Sequence, residues 1–197
     1  MKSIITSVSP YLCEKIVSGD CKILVKKSVP KEVPFKDYIY CTKTKNKWSL
    51  CDYEGAYQNS KGEIVYAQQH IIGEFICNRV YNIDYLPKEY EGNPSQFSEF
   101  ICNNSCLSFE QIMEYKKGKT LYGWHISDLK IYDKPKELSE FRKPLGSVYC
   151  SYYKDYCEEG CVGFGSTDYV CNDYWNWEKG LTHPPQSYMY VEEVENE

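Results

Sequence analysis

Lys22 and Lys26 stand four residues apart in Cys21–Val29, a stretch whose weak alternation reads as a β-strand. On a strand, that spacing puts both ammonium groups on one face, where they could hold a phosphate or a carboxylate. Tyr40, Thr42 and Lys43 end the next apolar run, Lys36–Thr42, and would add a ring, a hydroxyl and a third cation to the same cleft. Trp124 offers a face on which a base could stack, worth about 1–3 kcal/mol per base in such sites; its competing role is a core aromatic. His125 alternates with Trp124 and points to the opposite face of a regular strand, which suits a structural histidine. His70 and His183 carry no local signature.

A second chemistry lies in the 11 cysteines. Cys150, Cys157, Cys161 and Cys171 fall within one irregular stretch without a close CxxC pair. Cys157 and Cys161 are separated by three residues, as are Cys102 and Cys106, a spacing compatible with a zinc knuckle. Zinc is therefore a possible cofactor, held by the four clustered cysteines or by the two pairs. The alternative is free buried cysteine acting as a small apolar side chain.

These groups need a scaffold, and 197 residues with 42% hydrophobic content suffice for one domain with a real core. No apolar run approaches a membrane span, and the N-terminus reads as a strand rather than a signal sequence. A cytoplasmic protein is expected, whose cysteines stay reduced. A net charge of −5 argues against tight, non-specific binding to duplex DNA. Lys22, Lys26, Lys27, Lys31, Lys36, Lys43, Lys45 and Lys47 nevertheless gather in one segment, against an acidic C-terminus at 192–197. That asymmetry fits a short RNA, a nucleotide or an acidic protein patch, or simply a solvated lysine face.

The elements follow from pattern. Ser3–Val8 reads as a strand. Ser9 and Pro10 start a helix with Leu12, Ile16 and Val17 on one face, and Gly19 stops it. Lys36–Thr42 is expected to be a central strand, and 43–62 a loop or hairpin. Glu63–Tyr81 holds two apolar runs, the second a long strand. Residues 82–106 show no period. Leu107–Lys117 is a helix with Ser108 and Gln111 in a capping box. Thr120–Tyr132 alternates as one strand, Asp133-Lys134-Pro135 turns the chain away, and Gln186–Glu192 is the last strand. The segment at about 144–182, rich in Cys, Tyr and Trp, is an insertion before it.

Four segments, Ile4–Gly19 (IITSVSPYLCEKIVSG), Val33–Lys43 (VPFKDYIYCTK), Leu121–Tyr132 (LYGWHISDLKIY) and Pro184–Glu193 (PPQSYMYVEE), together resemble the ASCH family, relatives of the PUA RNA-binding fold, and most closely its phage-type members. The resemblance implies an α+β, PUA-like small mixed β-barrel with two or three short helices, spanning 1–197. It also implies a cleft for RNA or a nucleotide-like ligand, and relatives that are cysteine-rich in the same insertion. Family members carry Gly-x-Lys-x-x-Glu-x-Arg after the first helix. Gly19 matches, but Cys21, Leu24 and Lys26 stand at the lysine, glutamate and arginine positions. In the amidohydrolase members a lysine, a threonine and a strand glutamate act on acetylated cytidine. Cys21 and Leu24 replace the first two, and Glu74 alone has a match, as a weak catalytic candidate or a ligand contact. Glu74 could equally pair with a strand lysine as scaffold. Binding without amidohydrolase activity is the leading expectation. An RNA- or nucleoside-acting hydrolase using Glu74 is an alternative. So is a protein-interaction factor that inhibits a host nuclease or defence protein through the aromatic insertion (Tyr149, Tyr152, Tyr153, Tyr156, Tyr169, Tyr174, Trp175, Trp177).

Overall fold

The computed structural model describes residues 1–43, 56–144 and 180–194. Strand β1 (Lys2–Val8) runs into α1 (Pro10–Val17), where the Ser9 hydroxyl accepts from the Leu12 N–H and proline occupies the first turn. Gly19, at φ +79°, ends that helix with the left-handed backbone that favours glycine. Strand β2 (Ile23–Lys26) follows, then β3 (Phe35–Cys41), which returns parallel to β1. A parallel pair needs a crossover, and α1 with β2 supplies it.

Beyond a small hairpin, β4 (Tyr57–Gln58) with β5 (Ile64–Val65), strand β6 (Ile71–Cys77) pairs antiparallel with β3. The run expected to be one long strand breaks at Asn78-Arg79. Its remainder, β7 (Val80–Asn82), joins β8 (Tyr122–His125) and β2 in a separate three-stranded sheet. The expected single strand Thr120–Tyr132 is likewise two. The N–H of Ile126 bonds to Lys22 O at 2.9 Å, closing β8 onto β2, and the chain then crosses to β9 (Ser127–Lys136) beside β6. Asp133-Lys134-Pro135 does not turn away but lies within β9. Pro135 is tolerated because β9 is the edge of the main sheet, ordered β11-β1-β3-β6-β9. The last strands are β11 (Tyr188–Tyr190), against β1, and β12 (Glu192–Glu193), against β10 (Phe141–Arg142).

Residues 82–106, aperiodic in sequence, contain a helix, α2 (Pro94–Ser105). Its asparagines blur the pattern, yet Phe97 and Ile101 lie four apart and pack with Ile23, Val25 and Leu121. Helix α3 (Phe109–Lys116) carries the expected capping box. The described residues form a mixed α+β fold with three α-helices. Among the described residues its strands form separate sheets and no closed barrel. None of these helices is long and apolar enough to cross a membrane.

The main core lies between the two larger sheets, with Ile4, Phe35, Ile39 and Phe75 from one and Leu24 and Trp124 from the other. A second cluster, including Ile5, Tyr38, Tyr40, Ile71 and Phe141, covers the opposite face of the five-stranded sheet. Gly73 lets β6 and β9 approach: a Cβ there would stand 2.4 Å from Lys130 O and 3.1 Å from Ile131 Cα. Gly73→Ala is expected to cost about 1–3 kcal/mol as the strands separate, read as a lower urea midpoint with an unchanged slope.

Candidate functional site

Strand β3 alternates Phe35, Asp37, Ile39 and Cys41 on one face with Lys36, Tyr38 and Tyr40 on the other. Asp37 thus sits on the inner face, opposite Ile4 and Phe75 in the registers of the flanking strands. Thr6, two residues beyond Ile4 on β1, shares that face. Strand β2 delivers Lys26, whose Nζ donates to Ser7 O at 2.8 Å.

The electrostatics of this inner centre are dominated by burial. Burial pushes the Lys26 amine down to about 8, against the opposing pull of Asp37 and Cys13. Burial also holds the Asp37 carboxyl well above the usual carboxylate range, although Lys26 and Thr6 favour its charged form. The Cys13 thiol on α1 is raised by burial and by neighbouring Cys41, with Lys26 acting against both. Thr6 Oγ1 stands close to Asp37, but neither it nor either Asp37 oxygen completes a hydrogen bond of good geometry, and Trp124 Nε1 is likewise buried without a partner. Such atoms are rare in folded proteins and call for a specific cause. Chemically, the centre offers two free acceptors, a hydroxyl and an amine that can change protonation near neutral pH.

The outer face carries a different set. Lys36 Nζ lies 3.2 Å from Glu74 Oε1, and the Tyr132 hydroxyl donates to Glu74 Oε2 at 2.6 Å. Burial works against ionisation of Glu74, but Tyr132 and Lys36 outweigh it and hold the carboxyl below its ordinary value. Stability from this shift is present above the unfolded value of 4.5 and is lost as pH falls through the lowered folded value. Tyr132→Phe is expected to raise the Glu74 pKa and narrow that window, as carboxyl-carbon NMR would record; an unmoved titration would contradict the hydrogen bond.

The chain is similar to solved ASCH structures. Against the crystal structure of ASCH from Zymomonas mobilis it is 13% identical with a TM-score of 0.49, over 97% of this chain and 88% of that one. Against a Tyr-to-Phe mutant of the same Zymomonas mobilis protein the identity is 12% and the TM-score 0.49, over 98% and 91%. A Ser-to-Ala mutant gives 14% and 0.40, over 68% and 70%. No family model and no curated protein matches the sequence.

The residues expected to share one cleft are divided by the central sheet. Lys22 and Lys26 do not form a common clamp: Lys22 is exposed, while Lys26 is turned inward against β1. The Lys22 backbone is held by Asn104 O and by the N–H of Ile126, just ahead of β2. Tyr40 is buried in the outer cluster, and Glu74 also lies on that outer face, away from Lys26. Thr42 is half-buried with its N–H on Val8 O at 2.9 Å, and Lys43 is exposed at the end of a described segment. Trp124 presents no open ring for a base: it is 0% exposed, packed edge-on to Phe35 at 5.0 Å and to Tyr188 at 5.9 Å. Lys26 and Trp124 are the two expected residues that face the interior.

Thr6 and Asp37 were not singled out by spacing. A signal existed, since each is a polar residue at an inward position of an apolar alternation, Ile4-x-Thr6-x-Val8 and Phe35-x-Asp37-x-Ile39. The cysteines Cys150, Cys157, Cys161 and Cys171, and the aromatic residues of the insertion, lie outside the described residues. Cys102 and Cys106 lie on α2 and at its C-cap, and the described residues contain no group of three or more metal-ligating side chains.

Proposed function

We propose that this protein binds RNA or a nucleotide-like ligand, with the polar edge of a base held at Asp37, Thr6 and Lys26. The carrying observation is the Asp37 carboxylate, buried with neither oxygen hydrogen-bonded, beside a buried lysine. An unpaired buried acceptor costs about 1–3 kcal/mol or more, and a ligand that brings N–H donors offsets that cost. Lys26 is buried beside Asp37, its Nζ held on Ser7 O at 2.8 Å. In this reading the two larger sheets act as the halves of a PUA-like barrel, and the protein is a cytoplasmic phage-type ASCH protein. A net charge of −5 favours recognition through a few directed contacts over general attraction to phosphate.

Glu74 does not support a hydrolase. Its carboxyl is held below its ordinary value, committed to Tyr132 and Lys36, and separated from Lys26 by the sheet. Release of cytidine from acetylated cytidine is expected to be absent; turnover abolished by Glu74→Gln would contradict this.

The binding test uses a double variant, Lys26→Met with Asp37→Asn, which removes both charges together and so leaves no unpaired buried charge. Affinity for a short single-stranded RNA and for nucleoside monophosphates is expected to fall at least tenfold, an effect of about 1.4 kcal/mol. Unchanged affinity in a folded double variant would sink the proposal.

A further inference from the structure

On the outer face, Lys36, Glu74, Lys130, Tyr132, Lys134 and Lys136 line a recess of about 460 Å³. That volume lies in the range of small-molecule sites. Strand β9 builds one wall with Lys130, Tyr132, Lys134 and Lys136, across a shift in its register against β6 between Ile131 and Lys136. Strands β3 and β6 add Lys36 and Glu74.

The recess also contains Asp133 and Glu193, so its formal balance is four lysines against three carboxylates. The carboxylates are already engaged. Glu74 accepts from Tyr132 and Lys36, Glu193 pairs with Lys136 at 2.9 Å, and Asp133 accepts from the Ser60 N–H at 2.9 Å. Lys130 and Lys134 are exposed and make no ion pair among the described residues. The Lys130 ammonium stands 5.9 Å from the centre of the Tyr132 ring, and that of Lys136 5.1 Å from it. Two cations without an ion pair of their own thus border a cavity in which Glu74 and Glu193 are paired with lysines and Asp133 is held by a neutral N–H, leaving a formal balance of +1.

We infer that this recess is a phosphate site, with Lys130 and Lys134 as its principal cations and Lys36 and Lys136 as the charged floor. It lies across the main sheet from the Asp37–Lys26 centre and does not depend on base recognition there. The phosphate group could be free, as in a nucleotide, or part of an RNA backbone. Lysine suits either source, because it meets phosphate oxygens as a flexible point charge. The engaged carboxylates would reject a ligand that brought its charge directly against them, so a phosphate must enter from the β9 edge.

The test uses the full chain and Lys130→Gln with Lys134→Gln, at exposed positions where substitution leaves the core untouched. Two probes are titrated: inorganic pyrophosphate by ³¹P NMR, and a short single-stranded RNA at several salt concentrations. If free phosphate is the ligand, pyrophosphate binds the native chain and the double variant binds it at least tenfold more weakly. If backbone phosphate is the ligand, pyrophosphate binding is negligible. The RNA salt slope then falls by about 1.4 in the variant, the loss expected for two single-strand contacts. The inference is overturned if neither probe distinguishes the variant from the native chain. It is equally overturned if the variant self-associates while both affinities stand, for the lysines would then serve only to protect a sheet edge. Loss of RNA binding in the Lys26→Met, Asp37→Asn protein with pyrophosphate binding retained would separate this site from the inner one.

Discussion

Replacing Lys26 by Met alone is expected to destabilise the fold by about 3–5 kcal/mol, and Asp37→Asn alone by a comparable amount, whereas the two together should be neutral or more stable than native by about 1–4 kcal/mol. Each single change removes the opposite group that offsets part of the other's burial, and the double change removes the desolvation of both. The pH dependence separates the partners. Lys26 falls from 10.5 to about 8 on folding, so between those values the unfolded chain binds the extra proton. Its contribution therefore rises with pH across that window and is lost as pH falls toward 8. Asp37 is raised above 3.8, so the folded chain holds the extra proton, and stability falls as pH climbs from 3.8 toward the folded value. Asp37→Asn should erase the acid-side slope and leave the alkaline one. Urea denaturation across pH reads both; additive single effects would mean that the two side chains do not interact.

Trp124→Ala is the other large effect, about 3–5 kcal/mol of stability. The ring is fully buried between Phe35 and Tyr188, and edge-on aromatic pairs add to the loss of area. Trp124→Phe should be far milder, because the indole N–H has no partner to lose. The comparison decides between core and stacking surface. A ring serving a base would change RNA affinity on truncation with little change in the denaturation midpoint.

These predictions also show where the sequence was readable. The Ser9-Pro10 start and Gly19 stop, the Ser108/Gln111 box and the β-rich Lys36–Thr42 run are local signals, and the structure places α1, α3 and β3 there. Signals that depend on a neighbouring strand were not visible. Nothing local announces that Tyr122–His125 pairs with β2 while Ser127–Lys136 pairs with β6, since both halves share one alternation. The same blindness placed Lys22, Lys26, Tyr40 and Glu74 in one cleft. Parity along a strand fixes which residues share a face, but only the register with Ile4 and Phe75 tells which face is inside. Thr6 and Asp37 were legible in principle, as polar residues at inward positions, and their importance rests on burial that a sequence does not display.

The central claim is that ligand donors meet the unpartnered carboxylate of Asp37, and the Asp37 Cγ resonance reports on it directly. In protein with ¹³C-labelled aspartate, saturating short RNA or nucleotide should shift that resonance and lower the Asp37 pKa, because N–H donors favour the charged carboxylate. By linkage, affinity should then strengthen as pH rises through the Asp37 titration. An Asp37 resonance whose position and titration stay the same at saturating ligand would contradict the account.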